Sequence, residues 1–424
     1  MRAGALAVGV VALEFAAAVS RFVAGTLLPV VARDLHAGEH LALLLAGSTI
    51  GLFVALPVAG RVAARLGASA GLSVGLAGYV AGAVLAATAR TPWVFAAGQF
   101  VNGVAGGLLA VFGISAVIEH LPPPVRAKVV AAASAMWILP ALVGPAATLA
   151  LERAVGWRWA LLLPLPVVIG GRLLISRVAR ATPPAPRPVG RSWLVPAGVA
   201  VLVLAGSLDS GWPLVVAGGL VALVGVAGLL PRGTGRLDRG VPAAMAAMTL
   251  FATGYFGADA LVTVLLTDGY HVSLGRASVV LSAAPLAWAL TSLVAARYAR
   301  VGVLPAVLGL ALAAAGGAVL AFPALAFGAP AFPVAVLGWA AGGIGVGIAY
   351  PCLYLLCTTG ESYGAVELAT AVITAEAFGG LLGQAAGGVL VPAAGLVTTY
   401  ALFAAMLGAG ALAATRAVTP ALVR

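Results

Sequence analysis

Apolar runs of about 20 residues follow one another along the whole chain, broken only by short segments rich in Arg, Pro and Gly. A helix rises 1.5 Å per residue, so each run is long enough to cross the roughly 30 Å hydrocarbon layer of a bilayer. The runs do not alternate apolar and polar residues with period two, which argues against barrel strands. Charged residues are 8% of the 424, against about 25% in an average soluble domain. So few charges cannot cover a surface facing water, and a lipid solvent is implied.

Fourteen runs lie near 4–31, 40–60, 69–89, 93–118, 128–150, 158–178, 192–208, 212–231, 242–266, 275–296, 302–322, 331–355, 364–389 and 394–416. The seventh and eighth are separated only by Asp209, Ser210 and Gly211, so twelve full crossings is the alternative count. With the N-terminus placed in the cytoplasm, the inner side holds Arg2, Arg61, Arg65, Arg126, Lys128, Arg172, Arg177, Arg180, Arg187, Arg191, Arg232, Arg236, Arg239, Arg297, Arg300, Arg416 and Arg424. The outer side holds Arg33, Arg90, Arg153, Arg158 and Arg276, and Arg21 lies inside the first run. Basic residues concentrate in cytoplasmic loops, so 17 against 5 supports an even number of crossings with both termini inside. The net charge of +11 then reads as topology control and headgroup contact, not nucleic-acid binding.

The longest inner connection, ATPPAPRPVGRSW from Ala181 to Trp193, is Pro-rich and basic like a linker. A second basic segment, PRGTGRLDRG, precedes the ninth run. The expected architecture is all-α and polytopic: a six-helix bundle over 1–180, linkers with a two-helix insert over 181–240, and a second six-helix bundle over 241–424. Duplicated helical bundles are the common plan of secondary transporters. The first run carries Glu14 and has no convincing cleavage site, so it reads as a retained helix. Cys352 and Cys357 share one apolar run and read as small core residues, without a disulfide framework.

Five segments resemble the major facilitator superfamily, and within it the fourteen-helix drug:proton antiporter branch. They are LLPVVARDL at the end of the first run, GRVAARLGAS after the second, GQFVNGVAGG in the fourth, VGPAAT in the fifth and GWRWALLLPLP opening the sixth. The last, with Trp157, Arg158 and Trp159, is the most specific. Gly60, Arg65, Gly67, Gly103, Gly144 and Pro145 stand where the family pattern has them. The resemblance implies the major facilitator fold and proton-coupled export. This chain departs from the pattern at Ala64, Ala68 and Ser69 in the loop after the second run, and at Gln99 in the fourth, where family members carry charge. The family's route of gating and coupling therefore cannot be copied onto it.

Ionisable groups inside a membrane are costly and mark function by default. Glu14 and Arg21 share a helix face but lie about 10 Å apart along the axis, too far for a direct pair. Asp259 has Tyr255 one turn below it, and Glu376 lies mid-run. The functional reading makes Glu14, Glu376 and Asp259 proton-coupling candidates with Arg21 tuning them; a carboxylate there would hold either a proton or a cationic substrate. The structural reading is a Glu14–Arg21 or Arg21–Glu376 network that fixes packing. Glu367 reads as an interfacial charge.

Gln99 and Asn102 would line the cavity or bond across helices. Tyr255, Trp137, Trp339, Tyr350 and Tyr354 would supply aromatic walls, or would only pack. Gly60, Arg65, Gly67 and Gly144 belong to candidate gating segments, and Pro140, Pro145 and Pro351 are candidate bends.

GGIGVG at 342–347 lies in an apolar run without a preceding strand, so it is not read as a nucleotide fingerprint. His36, Glu39 and His40 form too small a group for a metal site, and no P-loop is present. The expectation is a secondary transporter rather than an enzyme, without cofactor and driven by a proton gradient. It would sit as a monomer among lipids in a bacterial plasma membrane. Its substrate would be hydrophobic or cationic, as in multidrug efflux. The alternative cargo is a lipid or endogenous natural product, and a non-transporting scaffold or sensor is the remote one.

Overall fold

The computed structural model describes residues 2–37, 41–176, 190–205, 208, 211–298, 302–321, 331–360 and 362–418. Glu39, His40, Asp209, Ser210, most of the Pro-rich linker, and Arg177, Arg180, Arg187, Arg300 and Arg424 lie outside the described residues.

Every apolar run holds helix. In chain order these are α1 (Arg2–Asp34), α2 (Leu41–Ala87), α3 (Pro92–His120), α4 (Pro123–Ala135), α5 (Ile138–Val155), the single turn α6 (Trp157–Ala160) and α7 (Leu165–Ser176). There follow α8 (Leu194–Ala205), α9 (Trp212–Val226), α10 (Val241–Val264), α11 (Leu274–Tyr298), α12 (Val303–Ala321), α13 (Ala331–Thr358), α14 (Ala365–Ala394) and α15 (Leu396–Ala414). Among the described residues, eleven segments are long and apolar enough to cross a membrane. One of them, Ala46–Ala87, holds the second and third runs, which part at Gly67 (φ 78, ψ 161). At 12 and 15 residues, α8 and α9 are shorter than a full crossing needs. Large apolar side chains such as Leu337 (71% exposed) and Leu412 (72%) face outward, as lipid permits and water penalises.

The chain forms two compact units. The first holds Met1–Pro122, Met136–Leu229 and Tyr363–Thr370. The second holds Pro123–Ala135, Leu230–Ser362 and Ala371–Arg424, so α4 packs with the C-terminal helices, against α11 and α13. There Arg126 Nη1 donates to Thr358 O, 3.0 Å away, at the last residue of α13.

Glycines set the helix spacing. In the first unit α2 and α3 pack most extensively. A Cβ on Gly103 would collide with the Ser48 carbonyl oxygen, and one on Gly47 would lie 2.7 Å from Ala96 O. Lipid gives no hydrophobic push between helices, so such backbone contact supplies much of the attraction.

The motif residues have structural work. Trp157 Nε1 and Arg158 Nη1 both donate to Asp34 Oδ2, at 3.1 and 2.9 Å, and Arg158 Nη2 donates to Ala89 O at 3.0 Å. The guanidinium lies 4.2 Å over the Trp157 ring. The start of α6 thereby ties the end of α1 to the end of α2. Arg172, counted above with the inner loop charges, is buried inside α7 instead. It donates to Ser69 O and Ser73 Oγ, each at 2.8 Å, and so braces the turn at Gly67 from α7.

Packing at Gly103 predicts a contrast with Gly106, whose Cβ direction is open. Gly103→Ala should lower thermal stability in detergent by about 1–3 kcal/mol through overpacking. Gly106→Ala should leave it unchanged or raise it by about 0.5–1 kcal/mol.

Candidate functional site

Seven aromatic rings meet in the second unit. Phe251 and Tyr255 share a face of α10 one turn apart, with Phe256 beside them. Trp288 comes from α11, and α13 brings Trp339, Tyr350 and Tyr354. Tyr255 stacks on Trp339, with centroids 5.4 Å apart and planes at 7°, and meets Trp288 edge-on at 5.5 Å. Trp288 meets Tyr350 at 5.3 Å, and Tyr350 meets Tyr354 at 5.7 Å. Phe251 touches Tyr255, Phe256, Trp288 and Tyr350 at 5.8 to 6.3 Å.

Small residues hold the rings in register. A Cβ on Gly343 would strike the Ala284 carbonyl, and one on Gly347 would lie 2.5 Å from Trp288 O, so these two glycines of GGIGVG form the seam between α13 and α11, while Gly345 faces α12. Gly379, 2.6 Å by the same measure from Thr249 O, together with Gly383 against Thr253 O, brings α14 equally close to α10.

α14 carries Glu376 to the edge of this cluster. The Tyr350 hydroxyl donates to both carboxylate oxygens at 3.0 Å, a shared bond that fixes the carboxylate against the rings. Glu376 is only partly buried. Cys357, fully buried, lies within its electrostatic reach. Asp259, one turn beyond Tyr255, is also partly buried and within electrostatic reach of Tyr255 and Tyr400. Tyr400 in turn donates to Ala258 O at 2.6 Å.

A second acid–aromatic pair lies in the first unit. The Glu14 carboxylate lies within the electrostatic reach of the Trp137 indole. Trp137 occupies the break between α4 and α5. Pro140 stands at the third position of α5, where a helix needs no donor, and its ring cannot tolerate a helical carbonyl at Met136. The bend expected from Pro140 is therefore a short interruption upstream, at Met136 and Trp137, where Trp137 keeps helical backbone angles (φ -78, ψ -19).

The other expected residues are placed as follows. Arg21 is exposed and forms no ion pair among the described residues. Gln99 is buried, and Asn102 is half-buried with no partner for Oδ1 among the described residues. Arg65 is exposed, and Gly60 has open space at its Cβ. A Cβ on Gly144 would meet Phe22 Cβ at an ordinary 3.4 Å. Pro145 lies within α5, and α13 continues through Pro351. Glu367 is in the first turn of α14.

Of the expected aromatic walls, Tyr255, Trp339, Tyr350 and Tyr354 come together, and the coupling candidate Glu376 meets them through Tyr350. Trp288, Phe251 and Phe256 were not singled out by sequence. Their helices carry apolar residues on every side, so no amphipathic stripe marks the inward face. The one available signal was the density of glycine opposite them in GGIGVG.

The Major Facilitator Superfamily model matches residues 10–360, and the chain belongs to that family. It is 27% identical over 382 residues to a probable multidrug-efflux transporter of Mycobacterium tuberculosis, covering 79% of this chain and 77% of the relative. Its fold is similar to that of a human organic anion transporter, at TM-score 0.67 and 15% identity, covering 97% of this chain and 98% of the other. A fucose:proton symporter of E. coli is similar at TM-score 0.64 and 16% identity, with the same coverage. The chain is thus a multi-pass transporter rather than an enzyme.

Tyr350→Phe keeps the ring and deletes both bonds to Glu376. It should cost about 1–3 kcal/mol, read as a lower thermal midpoint of the purified protein at neutral pH.

Proposed function

We propose that this transporter exports hydrophobic or cationic small molecules across a bacterial plasma membrane in exchange for protons. The observation that carries the reading is Glu376, held by Tyr350 at the rim of the aromatic cluster. Ring faces attract organic cations, and one carboxylate can hold a proton or balance a cation but not both. Arrival of the cation therefore expels the proton. Release of the cation on the far side lets a proton return, and that competition is sufficient for antiport. The mycobacterial relative, a probable multidrug-efflux transporter, points to the same class of substrate.

Glu14 offers a second carboxylate beside an indole, in the first unit. The test separates the two. Purified protein is challenged with tetraphenylphosphonium in weakly buffered solution, and proton release is measured in wild type, Glu14→Gln and Glu376→Gln. Loss of release in Glu376→Gln, with release kept in Glu14→Gln, is the expected result. Loss in Glu14→Gln alone would transfer the exchange to Glu14. Cation binding without proton release in wild type would reject antiport.

A further inference from the structure

The aromatic cluster holds three polar atoms that no described residue satisfies. Tyr255 is 2% exposed and Trp339 is fully buried. Tyr255 Oη, Trp339 Nε1 and Trp288 Nε1 are all shielded from solvent, and none has a hydrogen-bond partner among the described residues. Buried phenols and indoles nearly always find a partner, and each exception needs a reason. Here three exceptions touch one another: Tyr255 stacks on Trp339 and abuts Trp288.

Poor packing is not the reason. Glycine contacts at Gly343 and Gly347 press α13 onto α11 beside Trp288. The rings are therefore held in place while their donors remain unspent. Each indole N–H can only donate, and the phenol can donate as well. A simple organic cation cannot meet them, since it offers no acceptor. An aromatic molecule with carbonyl or ether oxygens can do so while its rings lie among these rings.

Resting on the reading that this cluster receives the substrate, we propose that the preferred substrates are planar aromatic compounds bearing hydrogen-bond-acceptor oxygens. Tyr255, Trp288 and Trp339 would donate to those oxygens. Charge on the substrate would then be handled by Glu376, and recognition of the ring system by the three donors. This division lets neutral and cationic compounds share one site, provided both carry acceptors.

Two probes that differ only in acceptors test this: a trimethylammoniomethyl anthraquinone and its anthracene counterpart. Binding to the purified full-length protein is measured by equilibrium dialysis. Wild type should bind the quinone about tenfold more tightly. Tyr255→Phe and Trp339→Phe delete a donor and keep a ring, and each should cut quinone affinity about tenfold while changing anthracene affinity less than about twofold. Without ligand, Tyr255→Phe should keep or gain thermal stability, because it loses a donor that has no partner among the described residues; Trp339→Phe also shrinks a fully buried side chain and should lose some stability to the cavity it leaves.

Equal wild-type affinity for the two probes, or an equal effect of the substitutions on both, would overturn the proposal. So would a marked drop in the ligand-free stability of Tyr255→Phe, which would mean that its hydroxyl serves the resting fold. Proton release by the anthracene cation, abolished in Glu376→Gln, would meanwhile uphold the antiport reading even if the acceptor preference failed.

Discussion

No water reaches the hydrocarbon layer, so a chain crossing it must satisfy its own backbone hydrogen bonds. Helices do this, but they also remove the usual reason for helices to associate, since a leucine is as comfortable against lipid as against another leucine. Glycine resolves the difficulty here. With no Cβ at Gly47 and Gly103, the backbones of α2 and α3 come into contact, and many weak attractions add up over that seam. The same device joins α11 to α13 and α10 to α14. The 56 glycines are thus not a sign of looseness. They are what allows a chain with 8% charged residues to hold a defined shape.

Polar contacts then act at the few places where helices end or break. Asp34, Arg158 and Trp157 join three helix ends with four groups. Asp34 and Arg158 are each more than two-fifths exposed, so the ion pair itself contributes only about 0–1 kcal/mol. Its larger effect is positional, because the indole and the Ala89 carbonyl converge on the same charges. Arg172 plays a comparable part at Gly67. The loop there lacks the acid that its family pattern carries, with Ala64 in its place, and an arginine from α7 braces the following helix through Ser69 and Ser73. A departure in sequence that removes charge from the loop is accompanied by an arginine, brought from another helix, that braces it through hydrogen bonds.

The apolar runs and their order were legible because length and hydropathy act locally, whereas the loop expected between the second and third runs shrinks to a single break at Gly67. Glu376 and Glu14 were legible for the opposite reason: a carboxylate in an apolar run stands out whatever surrounds it. Their partners were less so. Tyr350 is separated from Glu376 by 26 residues, and nothing local distinguishes it from an interfacial anchor. Trp288 was invisible, since α11 shows no polar face against which an inward side chain could be recognised. Arg21 shows the converse limit. Its charge drew it into the candidate network, while its rotation on α1 leaves it exposed, and two turns of separation already argued against a direct pair with Glu14.

The two acid–aromatic pairs bear differently on transport. Glu14 meets an indole, which can only donate and cannot pass a proton onward. Trp137 can orient that carboxylate and polarise it, and little more. Glu376 meets a phenol, which both donates and accepts, and whose ring continues through Tyr354 along α13. A phenol can surrender its bond to an arriving proton or cation and recover it afterwards without leaving a buried donor stranded, because rotation of one hydroxyl suffices. Exchange needs a site whose occupied and empty states are both satisfied. By that criterion the carboxylate beside Tyr350 is the better exchanger, and the one beside Trp137 is better suited to holding the break between α4 and α5 in place.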